Sequence, residues 1–406
     1  MRSLLGESWI TASVMLLLVG LTANSVPIAG LGVLVLGTGG LARLWVRLSL
    51  ERVRYTRSLQ ESRAFVGESV TVRLRLANEK RIPVPWVEVR EQLPEAMPTL
   101  DVHTQPSGIP GVVFMSRNTS LGANEAVQWP ITLAANVRGF YRLGPTRLRA
   151  GDLFGLFTLE EQVRGNEHIV VYPRTYSLPD LGLTSGRPFG DRPGGQRIFE
   201  DPVRVVGVRD YVPSDPLKRI DWNATARVGR LQSRLYEPSR TQAVVVAVNI
   251  STMEFSWQGS DPALLERNIV VAASVARQAF EEHAAIGLVA NGSFPDADRP
   301  IRIGAGRRPD QLVRVLEALA MVAPYTTSTL ADELERPGQA LPLGATLVVV
   351  AALMPPGLVA ALQRLRSQGH AVHVLKTSPE PWEAELGRIP MTELAPAMTV
   401  LEAAAS

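Results

Sequence analysis

Cysteine is absent from all 406 residues. That single absence removes disulfide frameworks, thiolate nucleophiles and zinc–thiolate sites together. Histidine is scarce, at five residues, so any metal site is expected to be built from oxygen ligands. An excess of charge of one sign is missing too, with 42 Lys and Arg against 39 Asp and Glu. The net charge of +3 and 6% aromatic content give no basic stripe interleaved with aromatics, so no nucleic-acid partner is expected. What remains is a 46% hydrophobic, 20% charged composition, globular with some membrane content. A chain of this length is too long for one ordinary core and predicts two or three domains.

Long apolar runs occur at the amino end only. The first spans roughly 9–23 and the second roughly 26–46. A bilayer core takes about 20 apolar residues per helix, so the second run qualifies and the first is short. Asn24-Ser25-Val26-Pro27 reads as a tight turn between them. The pattern predicts a two-helix transmembrane hairpin over 1–50. Arg2 precedes it, and Arg43, Arg47, Arg52, Arg54 and Arg57 follow its second run. The positive-inside rule then puts both ends and the soluble domains in the cytoplasm, making this a multi-pass cell-membrane protein. A cleaved signal peptide is the competing reading, weakened by the thin basic start and the second run.

From Ser58 to about Pro173 the period is two. Val70-Thr71-Val72-Arg73-Leu74-Arg75-Leu76 alternates, as do Val127, Trp129, Ile131 and Leu133. Half-buried strands between Pro, Gly and Asn turns predict an antiparallel β-sandwich over 51–175. Asn78 to Pro85 and Arg138 to Pro145 are the expected corners. Gly151 to Phe157 reads as an aromatic plug closing the sandwich, with a ligand loop as the lesser alternative.

The stretch 176–240 connects this domain to the next. Residues 185–199 are Gly-, Pro- and Arg-rich linker, and Gly194-Gly195 is no phosphate loop because no Lys-Ser/Thr follows. Arg209 to Glu237 is denser in Arg, Asp, Tyr and Trp than a surface loop needs. Ser214 is a candidate N-cap for a short helix, with Leu217 and Ile220 on its buried face. Three readings stand: a salt-bridged clasp anchored by Trp222, a docking surface for a partner, and an active site. Arginine suits carboxylate recognition and tryptophan anchors interfaces. No nucleophile is paired with a base, so catalysis ranks last.

Residues 241–380 alternate strand and helix. A continuous apolar run at Ala243–Val248 and strands at Ile286–Ala290, Leu347–Ala351 and Ala371–Leu375 alternate with helices at 262–283, 310–322 and 356–368, and Pro300 to Ile303 is a short edge piece. This predicts a doubly wound parallel sheet, whose ligands bind at the strands' carboxyl ends. That rim would carry Asn249, Ser251, Asn291, Ser328 and Thr329. Residues 381–406 are a tail, of which Met391 to Ser406 reads as a weak helix or a frayed end.

Several of these motifs recur together in one known family. Gly67-Glu68, Arg138-Gly139-Phe140-Tyr141-Arg142-Leu143-Gly144-Pro145 and Asp152-Leu153-Phe154-Gly155-Leu156 belong to the pattern. So do Arg209-Asp210-Tyr211, Pro213, Asp215, Arg219, Ile220, Trp222, Ala226-Arg227 and Leu231. With the hairpin they make the chain resemble the domain-of-unknown-function 58 family over nearly its whole length. The resemblance implies an α/β plus all-β protein: transmembrane hairpin, β-sandwich, then a von Willebrand factor type A-like doubly wound α/β domain. It implies no established reaction, and a MoxR-type AAA+ ATPase as partner in a chaperone-like or assembly role. Arg209, Asp210, Tyr211, Asp215, Arg219, Trp222 and Arg227 would form the docking surface or interdomain clasp.

The type A fold often carries an Asp-x-Ser-x-Ser metal site with a later Thr and Asp. Here Asn249, Ser251 and Thr329 hold degenerate positions, Met253 replaces the last Ser, and Ala351 to Met354 offer no carboxylate. An amide and hydroxyls hold Mg2+ poorly, so no metal or cofactor is expected unless a partner donates a carboxylate. The expected function is a non-catalytic membrane-anchored adaptor. The alternative is a hydrolase or small-ligand binder at the strand-end rim, with Ser251 as nucleophile and His283, His370 or His373 as base. A polymer-binding cell-envelope protein would need the soluble part outside.

Overall fold

The computed structural model describes residues 5–152, 157–183, 200–212, 217, 220–238, 243–295, 297–326, 328–337, 341–382 and 384–405. Two compact units divide the chain, Met1–Pro173 and Arg174–Ser406.

The first unit opens with two helices, α1 (Leu5–Thr22) and α2 (Val26–Ser49). The 24-residue α2 is long and apolar enough to cross a bilayer, whereas the apolar part of α1, Trp9–Thr22, is shorter. Glycines set their contact. A Cβ on Gly20 would lie 2.3 Å from Ala29 N, and one on Gly32 would lie 2.9 Å from Leu17 Cα, so the backbones touch. Lys80 closes the end of α2 by donating from Nζ to the carbonyls of Ser49 and, at 2.8 Å, Glu51. A cation suits the negative end of a helix.

Eleven strands follow: β1 (Val53–Leu59), β2 (Arg63–Phe65), β3 (Ser69–Asn78), β4 (Val84–Pro94), β5 (Gln105–Pro106), β6 (Val112–Leu121), β7 (Ala126–Ala134), β8 (Gly139–Arg142), β9 (Thr146–Gly151), β10 (Thr158–Val163) and β11 (His168–Tyr172). Two antiparallel sheets, ordered β1-β3-β7 and β10-β9-β4-β6-β5, share one core. In β3, Val70, Val72, Leu74 and Leu76 turn inward, as period two demands, and are at most 2% exposed. A third sheet, β2-β11-β8, includes one parallel pair, β2 with β11.

Charge is buried inside this core. Arg57 Nη1 donates to Glu91 Oε1 at 3.0 Å, and the Tyr55 hydroxyl donates to Glu91 Oε2 at 2.8 Å. The Thr146 hydroxyl donates to the same oxygen. Arg57 therefore cannot count among the free juxtamembrane cations that the sequence suggested. The corner at 138–145 makes room for it: a Cβ on Gly144 would sit 2.5 Å from Arg57 Nη1. In the Gly151–Phe157 stretch, Phe157 N donates to Asp152 Oδ2 at 2.7 Å and Trp86 Nε1 to Asp152 O at 3.1 Å. The Phe157 ring meets Trp9 edge-on, centroids 5.6 Å apart. Phe154 of the expected plug lies outside the described residues.

The second unit runs through β12 (Glu200–Asp210), α3 (Trp222–Val228), β13 (Gln232–Pro238), β14 (Ala243–Val248), α4 (Pro262–Glu281), β15 (Ala285–Phe294), β16 (Ala297–Gly306), α5 (Gln311–Ala320), α6 (Leu330–Leu334), β17 (Thr346–Ala351), α7 (Pro356–Ser367), β18 (Ala371–Lys376), β19 (Met391–Glu393) and α8 (Ala395–Ala405). Six strands form the sheet β16-β15-β14-β17-β18-β19. The expected short edge piece at 300–303 is the ten-residue β16, and it pairs antiparallel with β15. The sheet is therefore mixed, not wholly parallel.

β14, and β17 after Thr346, are apolar because both their faces are covered. Val245, Ala247, Leu347 and Val349 pack with residues of α6 and α7, while α4 lies against β14, β15 and β17. Asp261 caps α4 by accepting from Ala263 N at 2.8 Å and Leu264 N at 3.2 Å. The tail holds a helix, the first of the two expected alternatives, and is not frayed over its described residues. It forms β19 and α8, and α8 is held to α4 by a two-pronged pair from Arg267 to Glu402 at 2.7 and 2.6 Å.

Candidate functional site

The family-like stretch builds a small, separate element. β12 and β13 pair antiparallel as their own two-stranded sheet, with Asp210 opposite Gln232 and Arg209 opposite Ser233. α3 sits in the connection between them. Asp221 is its N-cap, accepting from Asn223 N and Ala224 N, both at 3.0 Å. Those amides, Ala224 first, and Arg234 hold the Asp221 carboxyl below the usual carboxylate range. Gly229, at φ 70°, ends the helix, and its N–H bonds Thr225 O. The Thr225 hydroxyl accepts from Gln232 N at 3.0 Å, which ties α3 to β13.

Half of the stretch serves its own folding. Gln232 Nε2 donates to Asp210 Oδ1, Arg234 pairs with Asp221 at 3.1 Å, and Arg209 Nη1 bonds Asp210 O at 3.1 Å. Tyr211 N bonds Leu231 O at 2.9 Å. The cap role of Asp221 was missed in the sequence, although Asp before a seven-residue run closed by Gly is a helix-boundary signal.

The other half faces solvent. Trp222 is 66% exposed and Leu217 72% exposed, while α3 has no buried residue. Trp222 is therefore largely solvated, and Leu217 is not on a buried face as expected. Ile220 is buried, but through a bridge to Ser233. Arg227 and Arg230 are exposed beside Trp222 in the chain. Asp215 and Arg219, with Ser214 and the helix expected to start there, lie outside the described residues, as does the 185–199 linker.

A second candidate is the carboxyl edge of the large sheet. Asn249, just past β14, donates from Nδ2 to Leu353 O at 2.9 Å. Its Oδ1 accepts from Ser251 N and Asn291 Nδ2, both at 3.2 Å. Asn291 Oδ1 accepts from Ile250 N at 2.8 Å, and its Nδ2 also reaches Ser251 Oγ at 3.3 Å. Asn268 of α4 donates to Asn249 O at 2.8 Å and accepts from the Thr377 hydroxyl. The bond to Leu353 O needs an N–H donor, which a carboxylate lacks. Asparagine at 249 thus has a fold-holding role.

The remaining rim hydroxyls are also engaged. Thr329 caps α6, accepting from Asp332 N at 3.1 Å and donating to Asp332 Oδ2 at 2.7 Å. Ser328 donates to Glu333 Oε1 at 2.7 Å. Asn249, Ser251 and Asn291 are brought together, and Thr329 is drawn into a helix cap. Among the described residues no group of three His, Asp or Glu side chains is placed to hold a metal ion. None of the three candidate histidines is brought to Ser251. His283 and His370 precede β15 and β18 at the amino edge of the sheet. His373 is level with Val348 and so with Val246, five residues before Ser251. At ~3.3 Å per strand residue, the separation is about 16 Å. Burial holds His370 and His373 below the usual imidazole range.

The fold and its two edges define a protein with a β-sandwich unit and an α/β unit whose sheet rim is lined by amides. Residues 207–400 match the family described as "Protein of unknown function DUF58". The Uncharacterized protein YeaD of Bacillus subtilis (strain 168) is 23% identical over 244 residues, 60% of this chain. The match spans 57% of that relative's length. Among solved structures, a cohesin module of a family 33 glycoside hydrolase from Clostridium perfringens matches 29% of this chain and 96% of its own. Its identity is 12% and its TM-score 0.22. A non-cellulosomal cohesin from Archaeoglobus fulgidus matches 29% of this chain and 91% of its own, at 12% identity and TM-score 0.20.

Proposed function

We propose that the protein is a non-catalytic, membrane-anchored adaptor that docks a protein partner on the α3 surface. One observation carries this reading: within the family stretch, α3 buries no residue and Trp222 is 66% exposed. A large exposed aromatic with Arg227 and Arg230 near it in the chain suits an acidic partner, since tryptophan and arginine dominate interface energies. The resemblance supplies the candidate, a MoxR-type AAA+ ATPase in a chaperone-like or assembly role. The α/β unit is a von Willebrand factor type A-like domain in this reading, supported by the parallel β15-β14-β17-β18 order and the degenerate positions on its rim. Mg2+ would bind there only if the partner donated a carboxylate.

In the same reading α1 and α2 form a transmembrane hairpin. Their glycine-mediated contact and the length of α2 support it. Arg43 and Arg47, on the last turns of α2, favour a cytoplasmic position for the soluble units. Arg2 lies outside the described residues. A reporter fused at the carboxyl end is expected to be active only in the cytoplasm; activity outside would overturn that topology.

The docking reading is tested by light crosslinking of the full chain in its native membranes, followed by mass spectrometry of captured partners. An AAA+ ATPase recovered with the wild type and lost with Trp222→Ala/Arg227→Ala supports it. Equal recovery with both proteins removes α3 from the docking surface.

A further inference from the structure

In doubly wound sheets, ligands occupy the crevice beyond the carboxyl ends where strand order reverses. Here the order reverses between β14 and β17. That position is filled by the chain itself, because Asn268 bonds Asn249 O and accepts from Thr377. The opening lies further along the same edge. The carboxyl ends of β18 and β19 border a cavity of about 390 Å3, lined in part by Lys376, Trp382, Leu386, Ile389, Met391 and Glu393.

Lys376 is the unusual member. Its side chain is only 5% exposed, yet it ends in a charged group on the wall of an open cavity. Glu393 pairs with its Nζ at 2.9 Å and is itself 57% exposed. The Trp382 ring lies 5.6 Å from Nζ, and Trp382 Nε1 donates to Ala352 O at 2.9 Å, which fixes the indole. An ammonium has three N–H donors, and among the described residues one hydrogen bond, to Glu393, uses them. A buried ammonium paired only to an exposed carboxylate among the described residues, beside apolar walls, is matched by an anion with an apolar body.

We propose that this cavity binds a carboxylate carrying an apolar group. The carboxylate bonds Lys376 Nζ, and the apolar group lies against Trp382, Leu386 and Ile389. Glu393 occupies the carboxylate position in the absence of ligand, and its exposure lets it yield to solvent at small cost. The carboxylate has two possible sources with the same chemistry: a small aliphatic or aromatic acid, or the carboxyl-terminal residue of another polypeptide. The proposal stands apart from the docking role of α3 and survives that role's failure.

Calorimetric titration of the full chain in detergent decides it, with hexanoate, phenylacetate, a peptide ending in free leucine and its carboxamide twin as probes. The wild type is expected to bind at least one of the free acids with a dissociation constant of about 1 mM or tighter. Glu393→Gln removes the competing carboxylate and is expected to tighten binding, while Lys376→Met weakens it by about tenfold or more. Met391→Trp narrows the cavity from a 43% exposed position and is expected to weaken binding with the charge intact. Hexanoate or phenylacetate alone binding identifies a free acid; the peptide alone binding identifies a chain terminus. Equal binding to wild type and a folded Lys376→Met overturns the proposal, as does equal binding of peptide and carboxamide. So does the absence of binding to both wild type and Glu393→Gln up to about 10 mM. Should Lys376→Met fail to fold, Glu393→Gln and Met391→Trp moving affinity other than as stated overturns it.

Discussion

Arg57 and Glu91 meet at 3.0 Å inside the sandwich, with side chains 2% and 0% exposed. β1 supplies the arginine and β4 the carboxylate, so the pair links the two sheets through their shared core. Burial raises the Glu91 carboxyl above its usual range, and Arg57 opposes that rise. Burial likewise pushes the Tyr55 hydroxyl up, reinforced by the Glu91 charge.

Arg57→Ala is expected to destabilise the protein by about 3–5 kcal/mol near neutral pH, because it leaves Glu91 buried without its cation. The pH dependence follows. With its folded value above the unfolded value of about 4.3, Glu91 holds its proton in the folded state where the unfolded chain has released it. Stability therefore falls as pH rises through that window, and losing Arg57 extends the window upward. Urea unfolding midpoints of variant and wild type should differ more at about pH 8 than at about pH 5. An equal difference at both would refute the account.

Asn249→Asp replaces the donor to Leu353 O with an acceptor and adds charge at a position 2% exposed. A loss of roughly 1–3 kcal/mol is expected, read as a lowered thermal unfolding temperature. The test extends to metal: unfolding with and without Mg2+ should show no stabilisation of the wild type at millimolar concentration.

Trp222→Ala should leave stability within about 0.5 kcal/mol of the wild type, since the side chain is mostly solvated. A loss of several kcal/mol in thermal or urea unfolding would favour the clasp reading over docking.

Arg267→Ala removes both bonds to Glu402. Met398 and Leu394 remain buried, at 2% and 0% exposed, so α8 should stay docked but open more often. Faster amide exchange confined to 395–405 is expected, with a global cost of about 1 kcal/mol or less. Unchanged exchange there would show that apolar packing alone holds the helix.

Local patterns were legible wherever one residue's neighbours decide its fate. Period two placed Val70 to Leu76 with their apolar members inward, and unbroken apolar runs marked β14 and β17 as strands covered on both faces. The family stretch was visible as a density of Arg, Asp and Trp. The antiparallel pairing of β16 was not legible, because a strand's direction depends on the connection and the edge it meets. Nor was the fate of Arg57, which resembles its neighbouring arginines until Glu91 arrives from 34 positions away.

The sequence by itself determined that cysteine chemistry is unavailable, that the amino end is apolar, and that a strand-rich region precedes an α/β region. Those follow from composition and from the two short periods of backbone geometry. Only the tertiary structure decided which polar groups are satisfied within the fold. It turned Asn249 and Asn291 inward as hydrogen-bond partners, drew Thr329 into a helix cap, exposed Trp222, and left Lys376 on the wall of a cavity. Side-chain satisfaction depends on residues far apart in the chain, and no periodicity encodes it.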